Sequence, residues 1–249
     1  RITPKRYTQV TDELGNVYAE FDLSNHPPGT VKTISIEYRV SVSEIVYDLS
    51  ACQGELPDEF TQPELRIESA NPQIAALAAD LARGSETVCR QVRAFYDYTA
   101  GGLAYTPNGR NWGAQAALGP MGADCTEYAA LLAALSRARG IPARYFEGLL
   151  ISDRQGSGLG AAEHAWADVY LPGAGWAALD PTLGRAPSRR DDYFAHYTPD
   201  HIIVTLGASP SVLRGSSYWT HLYWPGSSTE IRVRGEWQVE AADGAGGGG

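Results

Sequence analysis

The sequence predicts an α+β fold with an antiparallel sheet, and three observations carry that prediction. Residues 33–42 alternate apolar and polar side chains. From Asn71 to Gly140 the apolar spacing becomes three and four. From Ala143 onward it returns to two. Helices followed by strands joined through short turns indicate helices segregated onto one antiparallel sheet.

Taken in order, residues 1–68 read as a β-rich amino-terminal region. Val17, Ala19 and Phe21 follow the turn signal Gly15-Asn16. Ile34, Ile36, Tyr38, Val40 and Val42 alternate with Thr33, Ser35, Glu37, Arg39 and Ser41, the pattern of a half-buried strand. The region holds no catalytic constellation and reads as a packing or binding unit.

Residues 69–240 read as the main domain. Asn71 and Pro72 have the chemistry of an N-cap and first helical residue, with Ile74, Leu77, Ala78 and Leu81 on one face and Gly84 as the stop. A second helix starts near Ser85, carries Val88, Val92, Phe95 and Thr99, and ends at Gly101-Gly102. A third runs from about 125 to 139. Asp124 and Glu127 form a capping-box pattern, and Tyr128, Leu131, Leu132 and Leu135 make one stripe. Arg137 and Arg139 occupy the last turn before Gly140 and Pro142. Strands follow over residues 143–151, 164–171, 175–180, 201–206, 218–224 and 229–239. Residues 241–249 form a glycine-rich flexible tail.

At 249 residues the chain can bury a sizeable core. A formal net charge of −9, without a Lys/Arg block, argues against nucleic acid as the partner. No run is long and apolar enough to span a bilayer. The chain begins at Arg1 without a signal peptide, as expected of a truncated or processed product. The compartment, cytoplasmic or exported, therefore stays open, as does the oligomeric state.

Of the cysteines, Cys89 lies in a helical pattern and reads as core packing. A Cys52–Cys89 disulfide is the alternative if the protein is exported, and would leave Cys125 as the free thiol. Cys125 is the first residue of its helix, amid free N–H groups and the positive dipole end. Such a site lowers a thiol pKa when a cation is near. Its N–H groups can also hold an oxyanion.

The partner is in EHAWADVYLPGAGWAALDPTLG, Glu163–Gly184. A three-residue loop, Pro172–Ala174, pairs Leu171 with Gly175 and puts His164 and Asp180 on one face as diagonal neighbours. A carboxylate so placed fixes an imidazole tautomer. Cys125, His164 and Asp180 thus form a candidate catalytic triad for thiol nucleophilic chemistry. A zinc site using Cys125 and His164 lacks further ligands at zinc spacing.

GADCTEYAALLAALSRARGIPAR and HAWADVYLPGAGWAALDPT, read together, resemble the transglutaminase-like superfamily of bacterial cysteine proteases. The resemblance implies a papain-like core, the Cys125–His164–Asp180 triad, and acyl transfer through a thioester on a protein or peptide substrate. The acceptor in that family is an amine, giving crosslinks, or water, giving hydrolysis. No cofactor is implied. No acidic loop of calcium-site spacing is present, so calcium dependence is not carried over. Tyr105 and Trp112, upstream of the cysteine, are the weaker oxyanion candidates. Trp166, Trp176, Trp219 and Trp224 are candidates for a substrate groove. Gly156, Gly158 and Gly160, in the polar loop Ser152–Glu163, would shape an open cleft edge and favour hydrolysis. The alternatives are a crosslinking transglutaminase and a non-catalytic interaction domain that kept the fold.

Overall fold

The computed structural model describes residues 1–108, 112–153, 158–213 and 232–242. The elements run β1 (Ile2–Thr3), β2 (Thr8–Thr11), β3 (Val17–Glu20), β4 (Ser35–Ile36), β5 (Ile45–Val46), α1 (Pro72–Leu81), α2 (Val88–Gly102), α3 (Ala114–Ala117) and α4 (Cys125–Ala138). They continue with β6 (Ala143–Asp153), β7 (Leu159–Leu171), β8 (Gly175–Leu179), β9 (His196–Tyr197) and β10 (His201–Leu206). The main sheet is four-stranded, in the order β10-β6-β7-β8, and every pairing is antiparallel. The fold class is α+β, as the period change implies.

Helix α4 is the centre of the molecule. It packs on α1, α2, α3 and the β6–β7 pair. Tyr128, Leu131, Leu132 and Leu135 have no exposed surface. Each of the three leucines contributes roughly 1.5–3 kcal/mol by that burial. Ala129, Ala130, Ala133 and Ala134 are equally buried. Small side chains around the rest of the cylinder let neighbours approach from every side, so the helix is enclosed rather than amphipathic. At its end the buried Arg137 donates to Ala143 O and Gln62 O and pairs with Glu64 at 2.9 Å. A buried guanidinium is tolerated here because its donors meet carbonyls and a carboxylate.

The structure corrects four expectations. Residues 33–42 form no long half-buried strand. Only Ser35–Ile36 pairs, with β1, and Tyr38 and Val40 are 65% and 49% exposed. Alternation gives a strand two faces, but a ladder also needs a neighbour. Residues 232–239 likewise carry no strand, and Val233 is exposed. The Tyr218–Trp224 segment, with Trp219 and Trp224, lies outside the described residues, as do Gly156 and the tail from 243 onward. Of the polar Ser152–Glu163 segment, the described residues are nearly all strand, since β6 extends to Asp153 and β7 begins at Leu159, while residues 154–157 lie outside the described residues. Finally, Cys52 and Cys89 are joined as a disulfide, with Cα atoms 6.1 Å apart. Cys89 packs in the core as its spacing implies, yet its sulfur meets a cysteine 37 residues upstream.

Candidate active site

Cys125 opens α4, and its local geometry is built by two acids. The Asp124 side chain accepts from Thr126 N at 3.1 Å, and Glu127 accepts from Asp124 N at 3.0 Å, completing the capping box. Glu127, fully buried, also accepts from Trp112 N at 2.7 Å and Asn108 Nδ2 at 3.0 Å. It thereby ties the preceding segment over the helix start. Cys125 is the free cysteine and is half-buried.

The histidine and aspartate come from the β7–β8 hairpin. Leu171 pairs with Gly175 across Pro172–Ala174, the register expected from the loop length. His164 Nε2 lies 2.6 Å from Asp180 Oδ2, and both side chains are buried. The carboxylate's other oxygen accepts Leu183 N at 2.9 Å. Tyr96 Oη donates to the Arg190 carbonyl at 2.8 Å, with the Asp180 carbonyl at 3.3 Å as its weaker acceptor. Since an ionised carboxylate only accepts, the His164 Nε2 bears a proton in this contact.

A residue missed from the sequence completes the cluster. His201, the first residue of β10, places Nε2 3.2 Å from the same Asp180 Oδ2. Its Nδ1 lies 2.9 Å from Asp200 Oδ1 and 2.8 Å from Thr198 Oγ1. The His164 and His201 rings are 5.7 Å apart. Strands in a sheet lie about 4.8 Å apart, and β6 separates β7 from β10. The two imidazoles therefore meet across a position without a side chain. Gly148 pairs with His164 from the intervening strand. A Cβ there would strike Ile202 O and sit 2.8 Å from Trp166 Cη2. In sequence, the one signal for His201 was a Thr-x-Asp-His run at a strand start.

The electrostatics correct a further expectation. Burial, then the neighbouring Asp124, push the Cys125 thiol up to about 12, with Asp180 and Glu127 acting in the same direction. Only the Ala165 N–H, hydrogen-bonded to the sulfur, pulls it down. A helix start alone promised a lowered value. The acids that cap this helix outweigh it. Burial would also raise Asp180, but the His164 and His201 imidazoles hold it well below the usual carboxylate range. His201 is lowered by burial, yet the carboxylates of Asp180 and Asp200 raise it to about 9.

The other candidates fall in different places. Tyr105 stands at the rim, bridged to Ala123 and stacked under Arg185 at 4.6 Å. Trp112 touches the site through its backbone N–H on Glu127. Trp166 is core, stacked on His164 at 6.0 Å. Trp176 lies against Phe60 and Tyr170. Gly158 precedes β7, and Gly160 is buried within it. His164, Asp180 and His201 have ligand atoms within 4.8 Å of one another. A tetrahedral zinc spaces its ligand atoms about 3.3 Å apart, and the 2.6 Å His164–Asp180 contact is tighter. The spacing is that of a hydrogen-bonded network. A groove lined by Leu77, Tyr98, Leu103, Leu118 and Met121 flanks the segment before Cys125 and includes none of the three triad candidates.

A sequence model of the transglutaminase-like superfamily matches residues 75–181, a span that holds Cys125, His164 and Asp180. That segment is similar to the transglutaminase-like superfamily. A protein-glutamine gamma-glutamyltransferase of Pseudomonas aeruginosa is 36% identical over 75 residues, 26% of this chain and 10% of that protein. A candidate cysteine protease of Cytophaga hutchinsonii is similar in structure at a TM-score of 0.45 and 24% identity, over 59% of this chain and 45% of that one. The periplasmic domain of TgpA from Pseudomonas aeruginosa gives 0.40 at 30% identity, over 48% and 45%. The chain thus spans about a tenth of the curated relative and less than half of each structural neighbour.

Proposed function

We propose that the chain performs cysteine-dependent acyl transfer on the carboxamide of a protein or peptide, through a thioester on Cys125. Cys125 is the nucleophile, His164 the base and then the acid, and Asp180 the group that orients His164. The observation that carries this reading is the buried 2.6 Å contact between His164 Nε2 and Asp180 Oδ2, one residue from the Ala165 N–H that bonds the Cys125 sulfur. Because Nε2 is committed to Asp180, Nδ1 is the position that takes the thiol proton.

The raised thiol sets the order of events. A thiol near 12 rests protonated at neutral pH, so sulfur attack and proton transfer to His164 are coupled. The new bond joins Sγ to the carbonyl carbon. The leaving ammonia or amine takes the proton back from His164, and the carbon–nitrogen bond breaks to give the thioester. Water or an amine then attacks, losing its proton to His164, and the thiol is regenerated. The Cys125 N–H is the primary oxyanion donor in this scheme, with Tyr105 and Trp112 as secondary candidates.

Water at ~55 M is the default acceptor unless an amine is held and oriented. We therefore read the net reaction as amide hydrolysis. A second reading, amine transfer, is favoured by the likeness to the Pseudomonas glutamyltransferase. A glutamine-containing protein incubated with a labelled primary amine distinguishes them, with label incorporation, ammonia release and backbone cleavage followed together. Ammonia release or cleavage without label supports hydrolysis. Incorporation outpacing hydrolysis at millimolar amine overturns it. Loss of every product in Cys125→Ala supports the shared thioester, and retained turnover refutes it.

A further inference from the structure

Asp180 Oδ2 serves two imidazoles at once, His164 at 2.6 Å and His201 at 3.2 Å. The roles of the two rings differ because of what lies on their far sides. Each ring nitrogen of His201 faces a carboxylate oxygen, Asp180 through Nε2 and Asp200 through Nδ1. Ionised carboxylates only accept hydrogen bonds, and a neutral imidazole has one N–H to give. Thr198 Oγ1 also lies 2.8 Å from Nδ1, but its single proton goes to Asp200 Oδ1, so Nδ1 faces two acceptors and Nε2 a third, an arrangement that suits a proton on each ring nitrogen. We propose that His201 is a positioning residue, a fixed imidazolium that divides the charge of Asp180 and keeps His164 neutral between turnovers, with Nδ1 ready to accept a proton. This deepens the Cys125–His164–Asp180 reading and rests on it.

Two effects act on His164 together. A carboxylate already paired with one cation attracts a second less strongly. Two like charges with ring centres 5.7 Å apart also repel in a buried setting. Both disfavour imidazolium at His164, which would be useless as a base toward a neutral thiol. The surroundings support this division. Thr198 Oγ1 donates to Asp200 Oδ1 and holds it against His201. The Tyr197 hydroxyl donates to the His201 carbonyl at 2.7 Å. Burial raises the phenols of Tyr96, Tyr193 and Tyr197, so they add no charge near neutrality. From β6, the buried Glu147 is engaged by the Tyr145 hydroxyl at 2.9 Å. From α4, Asp124 and Glu127 act on Cys125, with their oxygens bonded to the helix start and the segment before it. His201 itself is raised to about 9, after opposing its own burial, by the same two acids.

The test combines ring-nitrogen NMR with a pH profile on the whole chain. In Cys125→Ala protein at pH 7.5, His201 should show both ring nitrogens protonated while His164 is neutral. His201→Gln, which keeps a donor and removes the charge, should raise the His164 midpoint and the acidic limb of kcat/KM by about one pH unit. That is roughly a tenfold loss at pH 6 with little loss at pH 8. Asp200→Asn keeps the imidazole and removes its second acceptor, and should move both readouts in the same direction by less. Asp200 is partly exposed, so this variant tests the claim even if His201→Gln does not fold. A purely structural His201 would instead lower kcat equally at every pH and leave the midpoint alone. A neutral His201 at pH 7.5, or an unmoved His164 midpoint in the variants that fold, overturns the proposal. Absence of any Cys125-dependent turnover in the wild type would refute the catalytic reading, and the NMR midpoints would still decide the charge claim.

Discussion

Two segments of this chain carry the same alternating pattern and meet opposite fates. Residues 164–171 become the carboxy-terminal part of the 13-residue strand β7, with Val169 and Leu171 fully buried. Residues 33–42 pair only at Ser35–Ile36 and leave Ile34, Tyr38 and Val40 at 40–65% exposure. The difference is not in propensity, since both are rich in β-branched and aromatic residues. It lies in partners. β7 has a ladder on both edges and α4 on one face. That enclosure is what holds His164 to within a hydrogen bond of Asp180. A pattern gives a strand its faces, but only neighbours give it a position precise enough for chemistry.

The sharpest break of this comparison is a change inside the enclosed region that alters chemistry and stability together. Asp180→Asn should lower kcat roughly 10³–10⁴-fold by favouring the wrong His164 tautomer. The hairpin alone would predict unchanged melting. With His201 on the same oxygen, the variant should also lose on the order of 3 kcal/mol at pH 7, because a buried cation loses its partner. Urea unfolding and steady-state kinetics on one preparation measure both.

The disulfide sharpens the contrast, since it ties the amino-terminal region to α2. Paired Cys52→Ser and Cys89→Ser should cost about 3–4 kcal/mol for a loop of 37 residues, with kcat within about twofold of wild type. A large loss of kcat would mean that the amino-terminal region positions the site.

Titration provides a comparison within the core. His201 is raised to about 9 in the folded chain from an ordinary 6.5. Its contribution to stability is therefore complete below about pH 6.5 and is lost as pH rises through 9, on the order of 3 kcal/mol in all. Asp180 acts the other way. Its contribution is present above about pH 4 and is lost as pH falls further. Chemical denaturation from pH 6 to 10 should show the first loss, and His201→Gln should flatten it. The smallest effect is at the periphery. Val40→Ala should change stability by less than about 0.5 kcal/mol, against about 2–5 for Leu171→Ala.

Much of the core was legible because short-range rules decide it. Asp124 and Glu127 announced the start of α4, and the odd-length Pro172–Ala174 loop fixed the register that joins His164 to Asp180. What stayed hidden depends on distance in the chain. His201 reaches Asp180 only because β10 lies beside β6 and Gly148 leaves the space. The Cys52–Cys89 link has no local signature. The thiol shift is hidden for a different reason. Asp124 and Glu127 show in the sequence as caps, while their effect on the sulfur depends on how deeply the fold buries it.

The central claim is that Cys125 carries the acyl group and that His164 takes its proton. Intact-protein mass spectrometry after acid quench, during turnover of a glutamine peptide, tests it most directly. The account predicts an added acyl mass that maps to Cys125 in the wild type. Cys125→Ala should give neither adduct nor product, with a melting temperature within about 2 °C of wild type. Product formation in Cys125→Ala, or a wild-type adduct mapping to another residue, would contradict it.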